Sequence, residues 1–117
     1  MTDKIKRGFE GEDLAITFLK EKGYRLLERN YRYKRSEIDL IVEKDNWLVF
    51  VEVKTRSSTS FGYPEEFVDE KKAAKIMEGA DQYIHENNWK ANVRYDIVSI
   101  VLKKGDPEIV HFEDAFY

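Results

Sequence analysis

Residues 36–56 read SEIDLIVEKDNWLVFVEVKTR, two alternating apolar stretches around a short polar centre. In the first, Glu37, Asp39 and Ile41 are predicted on one face of a strand, and Ile38, Leu40 and Val42 on the other. In the second, Trp47, Val49, Val51 and Val53 share a face, and Leu48, Phe50, Glu52 and Lys54 share the opposite one. If Asp45-Asn46 is a two-residue hairpin turn, Lys44 pairs with Trp47, and counting back sets Asp39 opposite Glu52 and Glu37 opposite Lys54. Glu37, Asp39, Glu52 and Lys54 then share one patch. A four-residue loop sets Glu37 against Glu52 and leaves Asp39 beside Phe50, and a three-residue loop turns one strand over and disperses the group. The two-residue turn is the reading adopted.

Carboxylates facing each other on a sheet repel, and neither can be buried without a compensating charge. A divalent cation with oxygen ligands supplies one; Mg²⁺ in particular is held by one or two carboxylates, water and substrate phosphate. Beside it, the lysine can steady an attacking water or offset charge building on phosphorus. A plainer reading stays open at this point. Glu37 and Lys54 can form a solvated cross-strand ion pair worth about 0.2–1 kcal/mol, with Asp39 and Glu52 on an open face.

An Asp on one strand followed by Glu-x-Lys on the next, here Asp39 and Glu52-Val53-Lys54, resembles the signature of PD-(D/E)XK nucleases. The longer text EIDLI and FVEVKTR, with GEDLAITFL upstream and RYDIVSI downstream, resembles the YraN family of predicted endonucleases, itself similar to Holliday-junction resolvases. The resemblance runs over nearly the whole chain. It implies that Asp39 and Glu52 are metal ligands for Mg²⁺ or Mn²⁺, that Lys54 is the catalytic lysine, and that Glu12 is a helical acid completing the site. Glu37 matches the family's acid two residues before the Asp, an accessory acid. Ser36 stands where the family usually has Gly, and Ile38, not Pro, precedes Asp39.

Upstream, a helix is predicted from Lys6 to Lys22, terminated by Gly23. At about 100° per residue, Ile5, Phe9, Ala15, Ile16 and Leu19 fall within about 60° of Glu12, which puts that acid in the middle of the apolar stripe. Such a carboxylate is either the helix's contribution to a site at the sheet edge or a buried acid with a hydrogen-bonding partner. Tyr24 to Tyr33 reads as a strand with a break at Asn30. It is cationic, with Arg25, Arg29, Arg32, Lys34 and Arg35 interleaved with Tyr24, Tyr31 and Tyr33, a mixture suited to phosphates and bases or to a solvated surface. Arg29, Arg32, Arg35 and Lys71 are the candidate nucleic-acid contacts.

Downstream, residues 57–64 (SSTSFGYP) read as a loop placed to move over a substrate or simply to connect. A second helix is predicted from an N-cap at Asp69 to Asn87, with Ala73, Ile76, Met77, Ala80, Tyr83 and Ile84 on its core stripe. Lys72 lies at the stripe's edge and Lys71 further off; one of them could reach a phosphate, but a snorkelling surface lysine is the reading adopted. Val93–Leu102 and Glu108–Phe112 read as strands, with a turn at Gly105. Asp96 is read as structural, paired with Arg94 or capping a loop, and His111 as structural too.

The 117 residues suit a single domain, and the absence of cysteine excludes a disulfide framework or a thiolate zinc site and fits a reducing cytoplasmic compartment. No stretch approaches the ~20 apolar residues of a membrane span. With a net charge of −3, nucleic-acid binding needs a local basic patch. The expectation is an α/β domain whose mixed, mainly antiparallel central sheet is flanked by two helices, a restriction-endonuclease-like fold by the resemblance. The expected function is metal-dependent phosphodiester hydrolysis in nucleic acid, with DNA the expected substrate and branched or junction DNA among the candidates. A noncatalytic nucleic-acid-binding module of the same fold is the alternative. The resolvase resemblance also implies a homodimer, since a junction presents two equivalent strands.

Overall fold

The computed structural model describes residues 3–57, 68–102 and 105–116, with the side chains of the first helix from residue 10 onward. Helix α1 (Asp3–Glu21) leads into strands β1 (Arg25–Tyr33), β2 (Ser36–Lys44) and β3 (Trp47–Arg56); helix α2 (Glu70–Glu86), β4 (Asn92–Val101) and β5 (Glu108–Phe112) follow. The strands lie in sequence order in one five-stranded sheet. Only β3 and β4 are parallel, and α2 is the crossover that parallel neighbours require. The loop expected over residues 57–64 falls, beyond Ser57, outside the described residues. Among the described residues no helix is long and apolar enough to cross a membrane.

Alternation in the central strands buries both faces of the sheet. Leu40, Val42, Val49, Val51, Val98 and Ile100 pack against Ala15 and Leu19 of α1. Ile41, Leu48 and Phe50 pack against Ile76, Ala80 and Tyr83 of α2. Each such buried side chain contributes about 1.5–3 kcal/mol, more than a surface ion pair, so the apolar faces dictate strand placement and the acids are carried along with them. The hairpin has the two-residue turn: Lys44 pairs with Trp47, and Asp45 and Asn46 have φ of 50° and 68°.

One expectation for β2 is corrected. Ile38 does not share a face with Leu40 and Val42; it joins Ile41 in the α2-side core. The face changes at Asp39. On the neighbouring strand the same happens at Asn30, whose φ is 55°, since Arg29 reaches Glu12 of α1 while Tyr31 packs on the α2 side. Arg29 still pairs with Leu40 and Tyr31 with Ile38, so both strands reverse their pleat together without losing register.

Two glycines allow the helices to lie close to the sheet. A Cβ on Gly11 would stand 1.9 Å from Thr55 Oγ1, and a Cβ on Gly79 would stand 2.4 Å from Ser36 Oγ. Ser36 is buried, and its hydroxyl donates to the Lys75 carbonyl at 2.5 Å, tying the start of β2 to the middle of α2. Asp69 caps α2 as expected, its side chain accepting the Lys72 N–H at 2.8 Å.

The expectation for Asp96 holds. It is fully buried on β4, accepting from Arg94 Nε at 2.8 Å and Nη2 at 2.9 Å and from the Asp114 N–H at 3.0 Å. His111 Nε2 lies 2.7 Å from it, and Arg94 continues to the Tyr24 hydroxyl at 2.6 Å. Burial opposes the Asp96 charge, but His111, Arg94 and the backbone donor outweigh it and hold the carboxyl below its ordinary range.

Candidate functional site

The β2–β3 ladder runs from Lys44–Trp47 to Leu40–Val51, whereas β3 stays paired with β4 as far as Arg56–Val101. At the end of the β2–β3 ladder the Asp39 carboxylate takes over, its Oδ2 accepting the Val53 N–H at 2.8 Å. This is one step past Leu40–Val51, where the hairpin register brings Asp39 to Glu52. The pleat reversal at Asp39 turns its side chain toward β3.

Glu52 and Lys54 are both buried on β3, an unusual position for charged residues unless paired. Glu52 Oε1 lies 3.6 Å from Lys54 Nζ and 2.5 Å from Lys72 Nζ, which arrives from the first turn of α2. Glu12 comes from α1. Its Oε1 accepts from Arg29 Nε at 3.1 Å and Asn30 Nδ2 at 3.2 Å, and it is close enough for its charge to act on Asp39. Glu12, Asp39, Glu52 and Lys54, separated by up to 42 positions in the chain, therefore belong to one charged group.

The electrostatics of this group are unbalanced. Burial, then the charge of Glu52 and more weakly that of Glu12, push the Asp39 carboxyl up to about 7, against the opposing Val53 hydrogen bond and Lys72 charge. Burial also lowers the Lys54 pKa, with the Lys72 and Arg56 charges adding to it and Glu52 resisting. For Lys72, burial is outweighed by the hydrogen bond and charge of Glu52, and its pKa rises.

The donor set fits a hard divalent cation. It consists of carboxylate oxygens, with one oxygen of each central acid engaged: Asp39 Oδ2 by Val53 and Glu52 Oε1 by the lysines. No hydrogen bond from a described residue falls on Asp39 Oδ1 or Glu52 Oε2. Among the described residues, no group of three or more His, Cys, Asp or Glu forms a ready-made metal cage.

Other candidates lie outside this group. Glu37 is not part of the carboxylate patch: exposed on β2, it pairs across the strand with Arg32, its Oε2 3.4 Å from Nη2. The reversal at Asp39 separates the two acids that simple alternation would keep on one face. Arg29 is tied to Glu12 and to Asp13, whose Oδ1 is 2.7 Å from Nη1. Arg35 and Lys71 are exposed. Lys72, expected as a snorkelling surface lysine, is instead the α2 lysine that reaches Glu52. Its signal was the N-cap: Asp69 fixes the Lys72 backbone in the first turn, at the edge of the buried stripe.

A family model described as Uncharacterised protein family UPF0102 matches residues 11–100, a span that includes every residue of the charged group. A UPF0102 protein of Flavobacterium psychrophilum is 44% identical over 117 residues, covering 100% of this chain and 98% of that protein. One from Cytophaga hutchinsonii is 42% identical over 113 residues, covering 97% of each. Another, from Persephonella marina, is 45% identical over 111 residues, covering 94% of this chain and 92% of its own.

Proposed function

The chain belongs to the UPF0102 family, and we propose that it is a metal-dependent nuclease of restriction-endonuclease-like fold, hydrolysing phosphodiester bonds in DNA. The observation that carries this reading is the meeting of Asp39 with the Glu52-x-Lys54 strand at the point where β2 and β3 cease to pair. Holding Asp39 against the charge of buried Glu52 costs stability, and a fold that retains the pair leaves room for a cation of higher charge than lysine.

Asp39 and Glu52 would hold Mg²⁺ or Mn²⁺, with Glu12 as the third acid. The ion supplies a lowered water pKa and neutralisation of charge on the phosphoryl oxygens. Lys54 contributes a buried donor beside the acids; its lowered pKa brings it nearer to exchanging a proton with water close to neutral pH. Lys72, half exposed at the rim, reaches outward to place a phosphate oxygen once Glu52 releases it. Glu12 is held by Arg29 and Asn30, so its orientation is fixed before any ligand arrives.

Cleavage of junction, flap, duplex and single-stranded DNA in Mg²⁺ or Mn²⁺, against chelator, tests the proposal. Wild type should cut at least one of these substrates only with metal, and Asp39→Asn and Glu52→Gln should each abolish cutting and weaken metal binding by calorimetry. Unchanged metal affinity in both variants would refute it.

A further inference from the structure

A concavity of about 260 Å³ lies between the β1–β2 turn and α2, lined by Lys34, Arg35, Ser36, Lys75 and Glu78. From it we propose a phosphate subsite that holds the nucleic-acid backbone beside the cutting site. The proposal rests on the nuclease reading and specifies where the substrate strand runs.

Arg25, Arg29, Arg32, Lys72 and Arg94 are each matched by an acid: Glu43, Glu12, Glu37, Glu52 and Asp96 in turn. Lys34, Arg35 and Lys75 differ. Among the described residues none has a carboxylate within 4.0 Å, although Glu78 lines the same concavity. Gathering three exposed like charges in a concave surface is unfavourable without a counterion, and the low-dielectric walls focus their field outward. The chain invests structure in this arrangement. Lys34 adopts φ of 55°, with its ammonium over the Tyr33 ring, while the Ser36 hydroxyl and Gly79 lock the Lys75 turn of α2 against the start of β2.

The position points to a polymer. Lys75 follows Lys72 by three residues, so both lie on one helix face about 5–6 Å apart. Ser36 precedes Asp39 by three strand residues, roughly 10 Å. A strand whose reacting phosphate sits at Asp39, Glu52 and Lys54 passes along α2 and places a neighbouring phosphate among Lys34, Arg35 and Lys75.

The test uses the full chain and a short single-stranded DNA oligonucleotide, in chelator so that nothing is cut. Lys34→Gln/Lys75→Gln should lower the slope of log affinity against log salt by about 1.4, from about 0.7 per lost contact. Glu78→Gln should tighten binding several-fold. Backbone amide NMR signals of Lys34, Arg35, Ser36 and Lys75 should shift with the oligonucleotide. Coincident salt slopes, or shifts with inorganic phosphate but none with oligonucleotide, would overturn the subsite. A wild-type chain that binds with the expected slope but never cuts with metal would leave the subsite standing and remove the nuclease reading. Cutting with unchanged slopes would do the reverse.

Discussion

Lys72 Nζ lies 2.5 Å from Glu52 Oε1, closer than the 3.6 Å of Lys54 Nζ, although Lys54 shares a strand with Glu52 and Lys72 comes from helix α2. Lys72 is thus the cation that balances Glu52 when no metal is bound. Lys54 is enclosed, whereas the Lys72 side chain is 44% exposed and free to swing outward.

Lys72→Gln should therefore strengthen Mg²⁺ binding by up to about tenfold, equivalent to about 1.4 kcal/mol from releasing one charge-assisted hydrogen bond. Calorimetric titration reads this directly. The Lys54 pKa, followed by NMR of its side chain, should move back up as a neighbouring positive charge disappears. A fall in metal affinity would make Lys72 a support for the acids, not a competitor for them.

Asp39 gives a pH signature. Its folded pKa of about 7 lies above the ordinary 3.8, so between those values the folded state holds a proton that the unfolded state has lost. Stability accordingly falls as pH rises across this window. Asp39→Asn abolishes the titration, so in chelator its advantage over wild type should grow from pH 4 to pH 7 and then level off, reaching a few kcal/mol. Urea melts at stepped pH check this, and parallel curves for the two proteins would contradict the shift.

Gly11→Ala should destabilise the fold by roughly 1–3 kcal/mol, because its Cβ would overlap Thr55 Oγ1 and push α1 off the sheet. Thr55→Ala in the same chain should recover part of the loss in a double-mutant cycle. Glu12 is the next residue on α1, so Gly11→Ala should also weaken metal binding, and Thr55→Ala should restore it.

Asp96→Asn should cost about 3 kcal/mol, since it removes the fully buried charge that holds half-buried Arg94 bidentately. For wild type, the lowered Asp96 pKa means that its contribution is present above the ordinary carboxylate pKa and is lost as pH falls through the folded value. The denaturation midpoint in urea should drop with an unchanged slope.

Local rules were enough for most of the fold. Asp45-Asn46 between alternating strands fixed the hairpin register, Asp69 and Asn87 bounded α2, and the apolar stripes assigned each helix a buried face. Asp39, Glu52 and Lys54 could be set together from that register alone, because a two-residue turn leaves one way to count. Asn30 was legible as a break in its strand, but the sequence could not reveal that the pleat also reverses at Asp39, a coordinated departure from alternation that only the pairing of the two strands exposes. That reversal sends Glu37 to Arg32 and out of the acid group. The choice of Lys72 over Lys71 was likewise tertiary. Adjacent helix residues point about 100° apart, and which of them meets Glu52 depends on how α2 docks on β2, a matter settled by Gly79, Ser36 and the core beneath them.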